Sequence, residues 1–115
     1  MHLLSAPTDQ AKGWLIGPWN SAVPMPVGYA NQGIADCHYH QQMYELYLVA
    51  RGSSTATVDG RLVKLTAGDV LVVEPGEVHT FIESSADYFH FVVQTPFVPG
   101  DRVAVIEKAR KRNGS

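Results

Sequence analysis

Three histidines and one glutamate carry the chemistry this sequence offers. His38 and His40 stand two apart, Glu45 follows inside "YELYLVA", and His79 comes after a Pro-Gly turn in "GDVLVVEPGEVH". Glu45 interrupts an otherwise apolar strand, and a carboxylate in such a place is seldom buried without a partner. In a strand, residues two apart point to the same side, so His38 and His40 share a face. A short turn brings that face against the one Glu45 occupies on the next strand. His79, at the start of a later strand, supplies a third imidazole at a sheet rim. Imidazole nitrogens and a carboxylate oxygen are the donors a borderline divalent transition metal accepts. A cation among them would give Glu45 its partner. The competing reading of His-x-His, two exposed polar residues on a strand, explains neither Glu45 nor His79.

The elements that would position these groups are short. Strands are expected over 44–50, 54–58, 61–65, 70–73, 78–83 and 88–94, each β-branched, aromatic or alternating and bounded by turn residues. Asp59-Gly60 is a two-residue hairpin signal, because both positions of such a turn need positive φ. Residues 1–32, with "GPWN" and "VPMPVG", read as irregular or edge segments whose Trp14 and Trp19 pack across the outside. Only "VAVIEKARKR" near the end has weak helical character. Short strands with tight turns throughout make an antiparallel sandwich or small barrel, an all-β fold.

The two segments together resemble the paired motifs of the cupin family. The first family motif is glycine, five residues, His-x-His, three or four residues, Glu, six residues, glycine; this chain has His38, His40, four residues, Glu45, six residues and Gly52. The second is glycine, five residues, proline, any residue, glycine, two residues, histidine, three residues, asparagine; here it is Gly68, Glu74, Pro75, Gly76 and His79. Three positions depart. Four residues separate Gly33 from His38 instead of five, Glu74 replaces the first proline, and Glu83 stands where asparagine is usual. The resemblance covers about 33–96 and implies a small antiparallel cupin β-barrel, or jelly roll. It also implies metal ligation by His38, His40, Glu45 and His79, and a menu of dioxygenases, decarboxylases, sugar isomerases, lyases and non-catalytic ligand sensors.

From this follows the expectation of a metal-dependent enzyme acting on an oxygenated small molecule, with oxygenase or oxidoreductase-like chemistry foremost. A metal-anchored binding or sensing module, and a sugar isomerase, lyase or decarboxylase, are the alternatives; a metal-free epimerase stands last. Iron, manganese, nickel and copper suit an N/O site, and zinc less so, since structural zinc sites are closed and thiolate-rich. Tyr47, Glu83 and His90 are candidates for acid–base or supporting roles. In "YFHFVVQ" the phenylalanine face is expected to pack the core, which points His90 outward and leaves it inert; in the opposite register it becomes a possible general acid–base. Tyr47 and Phe81 share ligand parity and fill the interior; Asp36 stands near the mouth, Arg51 is the nearby cation, and Cys37 faces away as a small buried hydrophobe.

Length and charge bound the rest. At 115 residues the chain is read as one domain, 1–115, with a barrel core at 33–96 and a basic tail over 101–115. Residues 1–106 carry ten acids against five bases, and residues 107–115 one acid against four, so −5 and +3 give the net −2. An acidic body argues against nucleic-acid binding. The N-terminus lacks a basic segment followed by an apolar block, and no run is long enough to span a bilayer, so a cytoplasmic protein without a membrane partner is expected. A single cysteine excludes an intrachain disulfide. Exposed sheet edges need covering, which favours a homodimer.

Overall fold

The structure, a computed structural model, describes residues 1–106. Ten strands run in order: β1 (Lys12–Ile16), β2 (Val27–Ala30), β3 (His38–His40), β4 (Tyr44–Arg51), β5 (Ser53–Val58), β6 (Arg61–Thr66), β7 (Val70–Val73), β8 (His79–Ser84), β9 (Phe89–Thr95) and β10 (Arg102–Ala104). They form two five-stranded antiparallel sheets, ordered β1-β2-β9-β4-β7 and β10-β3-β8-β5-β6. No described strand of one sheet pairs with a strand of the other, so the molecule is a two-sheet jelly roll and not a closed hydrogen-bonded barrel. The six expected strands are present with ends moved by a residue or so. β1, β2, β3 and β10 are too short for alternation to register.

Alternation decides what faces inward. In β4, Glu45, Tyr47 and Val49 are buried while Tyr44 and Leu48 are exposed. In β9, His90, Val92 and Gln94 are buried and Phe91 is exposed, so the expected register is reversed: the phenylalanine face turns outward and His90 faces in. β8 breaks the rule: His79, Thr80 and Phe81 are all buried, and β5 pairs with β8 through an irregularity between Thr55 and Ala56. The inner faces meet in a core of Tyr47, Val49, Ala56, Leu65, Val73, Phe81, Tyr88 and Val92. Each of its larger apolar side chains contributes about 1.5–3 kcal/mol by leaving water.

Turns then aim the site. The β5–β6 hairpin closes at Asp59 (φ 49) and Gly60 (φ 79), both left-handed as a two-residue turn of this kind requires. Asp59 also reaches sideways: its Oδ1 accepts from the Val78 N–H at 2.8 Å, and its own N–H donates to the Val78 carbonyl at 2.7 Å, fixing the residue just before His79. The preceding turn is tied to β3 by the Gly76 N–H donating to the His40 carbonyl at 2.7 Å. Glu74 uses the N–H that a proline would lack, donating to Glu77 Oε1 at 2.7 Å. That departure from the family pattern therefore adds a bond within the turn.

The end of the chain differs from its expected form. Residues 102–104, the opening of the expected basic tail and of the weakly helical stretch, form an edge strand paired with β3, with Arg102 opposite His40. The rest of that tail, 107–115, lies outside the described residues. No helix of the described residues is long and apolar enough to cross a membrane.

Candidate metal centre and its cavity

The register places the three imidazoles on one sheet and the carboxylate on the other. His38 pairs directly with His79 across β3 and β8, so their side chains share a face. His40, two residues on, shares it too. Glu45 comes from β4, opposite. The turn 41–43 between His40 and Glu45 is held by Asp101, whose buried carboxylate accepts from the Gln42 N–H at 3.0 and 2.9 Å and from the Met43 N–H at 2.8 Å. Burial alone would raise the Asp101 pKa, but these backbone N–H groups outweigh it and hold the carboxyl below its usual value.

The four groups converge on one point. Glu45 Oε1 lies 3.6 Å from His38 Nε2, 3.2 Å from His40 Nε2 and 2.8 Å from His79 Nε2. One donor atom from each residue falls within 4.8 Å of the others. Burial would raise the Glu45 pKa, yet the His38, His40 and His79 rings and the Gln94 amide gathered around the carboxylate prevail and hold it far below the carboxylate range. The Tyr47 hydroxyl donates to Oε1 at 2.9 Å, and Gln94 Nε2 donates to Oε2 at 2.9 Å. Burial and the neighbouring carboxylate push the Tyr47 phenol well above its ordinary pKa, so it stays a donor.

Whether a metal suits these residues can be judged from the ring tautomers. His38 Nδ1 lies 2.6 Å from the Asp36 carbonyl and His79 Nδ1 lies 3.0 Å from the Glu77 carbonyl. A carbonyl only accepts, so each Nδ1 carries the hydrogen and a neutral ring turns a bare Nε2 lone pair toward Glu45. Lone pairs aimed at a carboxylate oxygen repel it unless a cation, or an extra proton on each ring, lies between. His40 is 3% exposed, and neither of its ring nitrogens makes a hydrogen bond; the 3.2 Å approach to Glu45 lacks the geometry of one. Carbonyl-oriented imidazoles around a carboxylate are what a bound divalent cation needs. The donor set fits, and His38, His40, Glu45 and His79 could hold a metal ion.

The group opens into a cavity of about 360 Å³. Tyr47, Phe81 and Val92 make its inner wall, and Trp14 (48% exposed) stands at its outer side. Gly28 admits that indole: a Cβ there would sit 2.7 Å from the Trp14 ring. Trp14 thus lines the cavity instead of lying across the outside, while Trp19 packs edge-on against it at 6.3 Å. His90 is 2% exposed and lines the same cavity, with Nδ1 2.6 Å from the Tyr88 hydroxyl. Burial lowers the His90 pKa to about 4 and raises that of Tyr88 to about 12.

Of the sequence candidates, Tyr47 and His90 stand on the cavity wall, and Asp36 at its mouth. Glu83 does not reach it: after the β5–β8 irregularity its side chain is exposed, and its carbonyl accepts from Ser54 Oγ at 2.8 Å. Arg51 also lies elsewhere, over the Phe89 ring at 5.1 Å. The cations of the cavity are Lys12 and Arg102, the latter ion-paired with Asp36. Sequence reasoning passed over Lys12, Gln94, Asp101 and Arg102. Only Gln94 left a signal, sharing the parity of His90 on β9.

The profile of the cupin domain matches residues 27–94, more than half of the sequence, and this chain belongs to the cupin family. Solved structures agree in fold. A cupin-like protein from Thermotoga maritima is 21% identical with a TM-score of 0.68, covering 87% of this chain and 81% of that one. Streptomyces PAC13 with uridine, in variant form, is 15% identical with a TM-score of 0.67, covering 89% and 84%; Pac13 is described as a nucleoside dehydratase. KdgF from Halomonas sp. is 14% identical with a TM-score of 0.60, covering 85% and 89%. Among curated proteins, none matches this chain in sequence.

Proposed function

We propose that this chain is a metal-dependent enzyme that moves protons on a small oxygenated molecule, in an elimination or isomerisation. The observation that carries this reading is His90, buried on the cavity wall beside the metal group and hydrogen-bonded through Nδ1 to Tyr88. Iron, manganese, nickel or copper suits His38, His40, Glu45 and His79, and a metal held there would supply Lewis acidity toward a substrate oxygen.

The chain's own residues account for the proton. With its pKa near 4, His90 is neutral at ordinary pH and available as a base. Its Nε2 would accept a proton from the substrate carbon while Nδ1–H donates to the Tyr88 oxygen. The imidazolium would then return that proton to a departing hydroxyl, releasing water and leaving a double bond. Tyr47 and Gln94 keep Glu45 charged and oriented throughout. Elimination is also the chemistry named for Pac13 on this fold.

The test is deuterium uptake. Metal-loaded protein in D₂O is mixed with a panel of small ketones, keto acids and hydroxy acids, and loss of carbon-bound protons is followed by NMR. Exchange that falls about 10²–10⁴-fold in His90→Gln supports the reading. Exchange indifferent to His90, or oxygen uptake without exchange, would favour the oxygenase reading.

The protein is further read as a homodimer. The outer face of β9-β4-β7 exposes Tyr44, Leu48, Val70, Val72 and Phe91, an apolar surface where a solvated sheet would be polar.

A further inference from the structure

We infer that the cavity takes a small organic carboxylate, held at the mouth by Arg102 and Lys12 with its body running inward to His90. This rests on the proton-transfer reading of the same cavity and names its substrate class. Residues 1–106 carry only five lysines and arginines, namely Lys12, Arg51, Arg61, Lys64 and Arg102, against ten acids. Two of the five line this one cavity. In an acidic body that gathers two of the few cations at one mouth, facing the carboxylates of Asp36 and Glu45.

Register fixes where the two cations stand. Lys12 pairs with Ala30, Ala30 with His90, and His90 with Val49, so Lys12 occupies the same cross-strand row as His90, two strands away. That is roughly 10 Å at the backbone, well within what a lysine side chain and a small ligand span together. Arg102 pairs with His40 on the facing sheet and points into the same space. The cations therefore flank the metal group and the acid–base pair from both sheets.

The chemistry of the mouth favours a carboxylate. Arg102 gives one nitrogen, Nη2, to Asp36 and keeps further N–H donors in the planar fork that matches a carboxylate. Asp36 removes one charge, so the mouth is short of the cations a phosphate dianion calls for, and the described residues offer no helix N-terminus to supplement them. Trp14 gives a flat apolar wall beside the anion, and about 360 Å³ lies at the small end of ligand cavities.

Isothermal titration calorimetry with benzoate, benzamide and inorganic phosphate tests this, on metal-loaded and on chelator-stripped protein. Benzoate should bind both forms, about tenfold or more tighter than the neutral benzamide. Arg102→Gln and Lys12→Gln should each weaken it by roughly three- to tenfold, and Asp36→Asn, which frees the guanidinium, should tighten it. Equal binding of benzamide, or no effect of either cation variant, would overturn the inference. So would phosphate binding more tightly than benzoate. Benzoate binding only when metal is present, and indifferent to Arg102 and Lys12, would overturn it while leaving the metal reading intact. Charge-dependent binding to protein that takes up no metal would do the converse.

Discussion

Glu45 is 4% exposed and answers to five side chains at once: three imidazoles, the Tyr47 hydroxyl and the Gln94 amide. Removing its charge leaves those groups facing a neutral amide, so Glu45→Gln should weaken metal binding by at least about tenfold, read by calorimetric titration. His90 makes a prediction of its own. Its folded pKa, about 4, lies below its unfolded value near 6.5, so the unfolded chain binds the extra proton first. The neutral ring is at no disadvantage above pH 6.5, and stability falls as pH drops from 6.5 toward 4, by up to about 3 kcal/mol. Denaturant unfolding across that window should show a shallower slope in His90→Gln than in the wild type. The four candidate ligands were legible in the sequence because their spacing is local. Gln94, Asp101 and Arg102 were not, since each acts through strand pairing with residues about fifty to sixty positions away.

Among the elements, the turn 41–43 matters most to the site, because it sets Glu45 against His40. It rests on Asp101, just before β10. Asp101→Ala should strip three N–H bonds from this turn, costing about 1–3 kcal/mol and weakening metal affinity about 10–100-fold without removing a ligand. Since the Asp101 pKa is depressed on folding, its contribution is present above the ordinary carboxylate range and is lost as pH falls through it. Reading faces from alternation succeeded for β4, took the inner face of β9 for its outer one, and left Glu83 a candidate for the cavity on β8. There the irregularity opposite Thr55 and Ala56 resets the face, and side-chain pattern alone carries no sign of it. The edge strands β1 and β10 failed to register for a related reason: three to five residues hold too little pattern, yet they carry both cations of the cavity.

At the scale of the molecule, the two sheets divide their labour. Their inner faces hold the core and the cavity, which share Tyr47, Phe81 and Val92, while the outer face of β9-β4-β7 is left apolar. If that face joins two copies, Val72→Lys with Leu48→Lys should yield a monomer by light scattering, with far-UV circular dichroism unchanged. A wild-type monomer would remove the dimer from the account. The family and the all-β architecture were readable from two motifs and a row of short strands. Which of the two forms they make, sandwich or closed barrel, was left open, because closure depends on hydrogen bonding between edges that the sequence does not encode locally. Leu65→Ala, in the core away from the cavity, should cost about 2–5 kcal/mol and leave metal binding unchanged, separating fold from site.

The central claim is that His38, His40, Glu45 and His79 hold a metal, and elemental analysis of protein purified without chelator or added metal tests it most directly, with His79→Ala alongside. One equivalent of iron, manganese, nickel or copper per chain in the wild type, lost in a folded His79→Ala variant, is the predicted result. Wild-type protein that carries no metal and takes up none of the four from solution would contradict it.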